Sequence, residues 1–228
     1  MPTIELDGVS HAYDNRRVLD DVSVTLTEHR IGVVGANGSG KSTLARLLNG
    51  LVHPSSGSVR VDGLDPVTQG REVRRLVGFC FTDPDAQIVM PTVAEDLAFG
   101  LRRHRLSREE TAERVEEWLG FAGLAAHRDH PAHLLSGGQK QLLALAAVLI
   151  TRPEIVVMDE PTTLLDLANA RRVAERVAGL PQQVVLVTHQ LDLLAPFDRV
   201  LVVDRGHVVA DAAPAEAVST YRQLMEGR

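Results

Sequence analysis

The stretch Gly35-Ala36-Asn37-Gly38-Ser39-Gly40-Lys41-Ser42-Thr43 decides how the rest of the chain is read. Before it, the apolar run Ile31 to Val34 reads as a strand; after it, Ser42 to Asn49 reads as a helix stopped by Gly50. A turn between strand and helix that carries G-x-x-x-x-G-K-[ST] is the pattern of a phosphate-binding loop. Small residues are needed there because backbone N–H groups must close around phosphate oxygens at the positive end of a helix. Asn37, Gly38, Ser39, Gly40 and Thr43 belong to the cradle, Lys41 supplies a point charge for the β- and γ-phosphates, and Ser42 offers a hydroxyl to Mg²⁺. Lys41 and Lys140 are the only lysines in the chain, so a lysine at this position is hard to ascribe to chance. A glycine-rich turn that binds nothing is the plain alternative, and the flanking strand and helix argue against it.

Farther along, Ile155-Val156-Val157-Met158-Asp159-Glu160 is an apolar strand ending in two adjacent carboxylates. Successive side chains leave a strand in different directions, so the two acids can take separate tasks. Asp159 is expected to hold Mg²⁺, and Glu160 to polarise an attacking water as general base.

The surrounding chain has the composition of an ordinary folded domain: 228 residues, 44% hydrophobic, 24% charged and 4% aromatic. A formal charge of −6 argues against nucleic acid as the main partner. Cys80 is the single cysteine and lies in the apolar run Val77 to Phe81, so a buried thiol in a reducing compartment is expected. Met1 to Asp7 shows no targeting pattern, so a cytoplasmic location is the expectation. The apolar run Leu142 to Ile150 is far short of the roughly 20 residues a bilayer requires, so any membrane role comes through a partner.

Strand-like runs over Thr3 to Leu6, Val22 to Leu26 and Ser58 to Val61 suggest a second sheet layer near the N-terminus. From Thr92 to Gly120 the pattern turns helical, with Ser107 and Glu110 spaced as a capping box, and a further helix spans roughly Gly138 to Thr151. Then follow strand Ile155 to Met158, helix Leu167 to Ala178, strand Val184 to Val187, and a hairpin of Val200 to Val203 with His207 to Ala210. Such alternation argues for an α/β fold with a parallel sheet covered by helices.

With Leu135-Ser136-Gly137-Gly138-Gln139 placed before a helix, the sequence resembles the ATP-binding subunits of ABC transporters. The family's landmarks fall in order over nearly the whole chain: Tyr13, the loop at 35–43, the signature at 135–139, the strand at 155–160, Asp166, and His189 after a strand. The resemblance implies a P-loop NTPase fold in which a RecA-like core sheet carries an N-terminal antiparallel β-subdomain and an inserted α-helical subdomain at about 84–152. One domain is expected over 1–228, with no C-terminal extension domain. It also implies that Tyr13 stacks on adenine, for which a core or turn tyrosine is the alternative. Ser136, Gly137, Gly138 and Gln139 would meet the γ-phosphate held by the other protomer of a dimer, Asp166 would serve in the shared site, and His189 would contact γ-phosphate and orient water with Glu160. Catalysis would then rest on Glu160, His189 and Lys41, with Ser42, Asp159 and Thr82 around Mg²⁺.

Thr82 departs from the pattern, since the family usually has glutamine there to reach Mg²⁺ and water. Threonine is shorter, so either it acts through an added water or Gln87 takes over part of the role; the first reading is preferred because Gln87 lies far along the loop. The run Asp83-Pro84-Asp85-Ala86-Gln87, with Thr92 to Gly100 after it, resembles the ATPases of energy-coupling factor (ECF) importers, which take up vitamins, cobalt and nickel; threonine in the loop is most like the biotin importer's ATPase. This implies a transmembrane scaffold subunit and a substrate-binding membrane subunit as partners, with the chain peripheral on the inner face of the membrane. Ile88-Val89-Met90 would suit the scaffold's groove or, equally, ordinary core packing. A soluble ABC ATPase acting in assembly, such as iron–sulfur cluster assembly, is the alternative function. His127, His130 and His133 recur every third residue, but Pro131 between them favours surface or structural roles over a metal site. Arg102-Arg103-His104-Arg105 reads as a solvated face, with lipid head groups or acidic partner residues as the other reading.

Overall fold

A computed structural model describes residues 1–227. The chain opens with β1 (Ile4–Tyr13), β2 (Arg16–Leu26) and β3 (Arg30–Val34), and the loop at 35–40 leads into α1 (Lys41–Leu48). Next come β4 (Ser56–Val61), α2 (Gly70–Leu76) and β5 (Val77–Cys80), followed by α3 (Val93–Leu101), α4 (Arg108–Ala122) and α5 (Gly137–Leu149). The remainder is β6 (Ile155–Asp159), α6 (Leu167–Ala178), β7 (Gln183–Val187), β8 (Arg199–Asp204), β9 (His207–Ala212) and α7 (Pro214–Glu226).

The strands form two sheets. One is antiparallel in the order β2-β1-β4; the other runs β5-β6-β7-β3-β8-β9, parallel except at the β9 edge. The parallel strands bury both faces, which explains their unbroken apolar sequences. Alternation sorts the side chains: Ile155 and Val157 join Ile31, Val33, Leu44 and Leu48 in a core under α1 and the antiparallel sheet. Val156 and Met158 point the other way, into a core built with α3, α4, α5 and α6. Cys80 lies in this second core, and burial alone pushes its thiol up to about 12.

Local chemistry sets the boundaries. Thr92, Ser107 and Ser136 each cap a helix and close a capping box with Glu95, Glu110 and Gln139. The helical pattern from Thr92 to Gly120 is therefore two helices, because Ser107 starts a second one after the break at 102–106. The β8–β9 hairpin turns at Arg205 and Gly206, whose φ values of 48° and 86° give the paired left-handed conformation that matches strand twist. β1 and β2 are longer than the apolar runs at Thr3–Leu6 and Val22–Leu26, since register shifts let polar segments stay paired. No helix among the described residues is long and apolar enough to cross a membrane.

Candidate active site

β3 delivers the chain to the glycine loop at the C-terminal edge of the parallel sheet, where ligands of open α/β sheets bind. Gly38 and Gly40 adopt φ of 77° and 107°, a conformation that points successive amides the same way and that side chains resist. At Gly35 a Cβ would sit 2.2 Å from the Val203 carbonyl oxygen. Arg16, Val18, Gly38, Gly40, Lys41, Ser42 and Thr43 line a cavity of about 270 Å³ over this turn. Lys41 is 6% exposed. Its ammonium donates to the Ala36 carbonyl at 3.2 Å and lies 4.0 Å from Glu160 Oε1. A buried cation so thinly compensated calls for an anion, and the Ser39 hydroxyl, buried without a partner, adds a free donor in the same turn.

β6 brings Asp159 beside α1. The Ser42 hydroxyl donates to Asp159 Oδ1 at 2.8 Å, and Arg46 lies 3.5 Å from Oδ2. Burial pushes the Asp159 carboxyl above its ordinary value, against the opposing pull of Ser42 and Arg46. Thr82 Oγ1 donates to the Asp159 backbone carbonyl at 2.7 Å, so Thr82 stands in the immediate surroundings of that acid. Both ends of the Gln87 amide are engaged elsewhere: Oε1 accepts from Phe81 N at 3.3 Å and Nε2 donates to the Ala144 carbonyl of α5 at 3.0 Å. Of the apolar trio, Ile88 packs on the core, Val89 is 60% exposed and Met90 is half-buried.

Glu160 follows Asp159 with φ of 54°, which turns its side chain away from the strand path. Its Oε2 accepts from His189 Nδ1 at 2.7 Å, from His189 N at 3.3 Å and from Thr163 Oγ1 at 3.1 Å. Two residues predicted from separate motifs thus form one dyad.

Tyr13 ends β1, 44% exposed and edge-on to His11 at 4.6 Å. Its register partner is Arg16, which lines the cavity over the loop. Neither Arg16 nor Arg46 belongs to a motif, and only the pairing of β1 with β2 and the turn of α1 bring them to the site. The signature residues lie apart: among the described residues lining the cavity over the loop, none comes from Ser136 to Gln139. Ser136 caps α5, Gly137 is exposed, and Gly138 packs against Asn169 of α6 so tightly that a Cβ would lie 2.3 Å from Asn169 Cγ. Asp166 caps α6 by accepting from Asn169 N at 2.8 Å. No His, Cys, Asp or Glu cluster among the described residues is placed to hold a metal, so the His127, His130 and His133 spacing builds none.

A glycine-rich phosphate cradle, a Ser–Asp pair beside it and a Glu–His dyad define a nucleoside triphosphate hydrolase of the P-loop class. Residues 19–163 match the ABC transporter family model, and the chain belongs to that family as one of its ATPases. A Deinococcus radiodurans protein named as an ABC transporter ATP-binding protein is 59% identical over 97% of this chain and 98% of its own length. The biotin transport ATP-binding protein BioM of Rhizobium etli is 44% identical over 97% of this chain and 98% of that protein. The structure of CbiO1 from Clostridium perfringens, described as part of an ABC transporter complex, superposes with a TM-score of 0.84 at 28% identity, covering 98% of this chain and 93% of that one.

Proposed function

We propose that this chain is the ATP-hydrolysing subunit that energises uptake through an ECF-type importer, and that biotin is the solute. The observation that carries the reading is the dyad of Glu160 and His189 set 4.0 Å from Lys41 over the phosphate cradle. The likeness to BioM, named for biotin transport, supports the vitamin, and the likeness to CbiO1, described as part of an ABC transporter complex, supports a membrane assembly.

Glu160 is the general base: it takes a proton from water as that water attacks the γ-phosphorus in line with the leaving ADP. His189 holds the carboxylate in place through its Nδ1–H, and Lys41 with the loop amides stabilises the developing charge. Ser42 and Asp159, with Thr82 acting through water, make the hard oxygen set that suits Mg²⁺. When bound, that ion neutralises charge on the β- and γ-phosphates. Tyr13 stacks on adenine beside Arg16.

The whole chain works as one domain over 1–228, with 84–152 as its helical arm. Because the signature lies outside its own cavity, two chains, identical or paralogous, share each site. Ser136, Gly137, Gly138, Gln139 and Asp166 then face the partner's nucleotide. Exposed Leu134, Leu164 and Leu167 beside these residues are the apolar surface that such a dimer covers. The dimer docks on the cytoplasmic face of the membrane on a transmembrane scaffold, which a small substrate-binding membrane subunit accompanies. Mild-detergent purification of the tagged chain from native membranes, with mass spectrometry, tests this. Recovery of a polytopic scaffold and a biotin-binding membrane protein is expected. Recovery without membrane partners contradicts the importer.

A further inference from the structure

Gln139 occupies the third position of α5, where its Oε1 accepts the Ser136 N–H at 2.9 Å and Ser136 Oγ accepts the Gln139 N–H at 3.3 Å. With Oε1 committed, the amide nitrogen faces the loop before the signature and lies 3.0 Å from His127 Nε2. A bond there requires a bare Nε2, so the His127 proton sits on Nδ1. That Nδ1 is 2.8 Å from His130 Nδ1, which must accept, and the His130 proton therefore sits on Nε2. One assignment of protons satisfies every link, and in it both rings are neutral. We propose that His127 and His130 are positioning residues of the signature turn, a neutral imidazole pair that fixes the Gln139 amide and thereby the cap of α5.

An added proton breaks the chain wherever it lands. On His130 it arrives at Nδ1, against the Nδ1–H of His127; on His127 it arrives at Nε2, against the Gln139 amide hydrogens. Turning the amide over regains His127 but aims its NH₂ at the Ser136 N–H and opens the capping box. The charged groups around the pair are mostly matched. Arg128 pairs with Glu116 of α4 at 2.6 Å and with Asp129 at 2.8 Å. Lys140 of α5 is held by Asp85 at 2.7 Å, and α6 sets Arg172, Glu175 and Arg176 along the cavity that Gln139 lines. His133 follows on the same loop and is exposed.

The proposal rests on the reading that Ser136 to Gly138 meet the partner's nucleotide, and two measurements keep the two apart. Long-range ¹H–¹⁵N NMR on the ATP-free chain should show Nδ1–H at His127 and Nε2–H at His130; an Nε2–H at His127 overturns the proposal whatever the dimer does. In a Glu160→Gln background, adding His127→Phe should raise the ATP concentration for half-maximal dimerisation about tenfold at pH 8, the size of one lost hydrogen bond, with ATP binding to the monomer unchanged. His130→Leu should act like His127→Phe, and His130→Gln, whose amide oxygen still accepts from His127, should restore dimerisation to within about twofold. A ratio of one at pH 8, or no difference between His130→Leu and His130→Gln, overturns the proposal. Failure of the parent to dimerise with ATP sinks the shared site instead, and the proton assignments then decide the pair by themselves.

Discussion

His189 Nδ1 lies 2.7 Å from Glu160 Oε2, and the same oxygen takes the His189 backbone N–H, so one residue holds the carboxylate at two points. The ring of His189 is half exposed while the Glu160 side chain is 12% exposed, which sets the dyad at the mouth of the site. His189→Ala is expected to lower kcat by about two orders of magnitude, the range of a general-base contribution, and to leave ATP affinity near that of the parent. Steady-state ATPase kinetics with a nucleotide-binding titration check both halves.

Thr82 spends its proton on the Asp159 carbonyl and keeps its lone pairs. Thr82→Val preserves shape and removes the hydroxyl. It should cost about 1 kcal/mol in urea unfolding and raise the Mg²⁺ concentration for half-maximal ATPase several-fold, by about the net worth of one hydrogen bond. An unchanged Mg²⁺ requirement removes Thr82 from the cation's surroundings.

Asp159 carries a raised pKa in the folded, nucleotide-free chain, chiefly from burial. The folded form then binds more protons than the unfolded form in the window above the ordinary aspartate value of about 3.9, so stability falls as pH rises through that window to the raised value. Asp159→Asn should flatten this slope. Melting temperature against pH, parent beside variant, is the measurement, and parallel curves contradict the assignment.

Gly138 has no room for a methyl group because Asn169 fills the space, at 2.3 Å from where a Cβ would stand. Gly138→Ala should destabilise the chain by about 1 to 3 kcal/mol through overpacking. Asn169→Ala in the same chain should return part of it, although Asn169 also bonds Asp166. Chemical denaturation of both single variants and the double variant closes the cycle.

The sequence reveals the parts whose chemistry is local. The loop at 35–43, the strand ending in Asp159 and Glu160, the box at Ser107 and the 204–207 hairpin announce themselves because spacing and residue type there are dictated by backbone geometry, whereas the box at Ser136 shows only in the fold. α2 goes unread, since Gly70 to Leu76 is short and its single buried residue, Val73, gives no period. Arg16 and Arg46 are missed because strand pairing and helix rotation, not a motif, bring them to the site. His127 invites a metal reading by spacing alone, and only the fold shows that its partners are Gln139 and His130.

The most direct measurement is sedimentation of the Glu160→Gln chain with and without MgATP, alongside its ATPase rate. Hydrolysis should fall by orders of magnitude while MgATP converts the chain into a lasting dimer. Hydrolysis at the parent's rate contradicts Glu160 as the base, and a chain that binds MgATP yet stays monomeric contradicts the shared site.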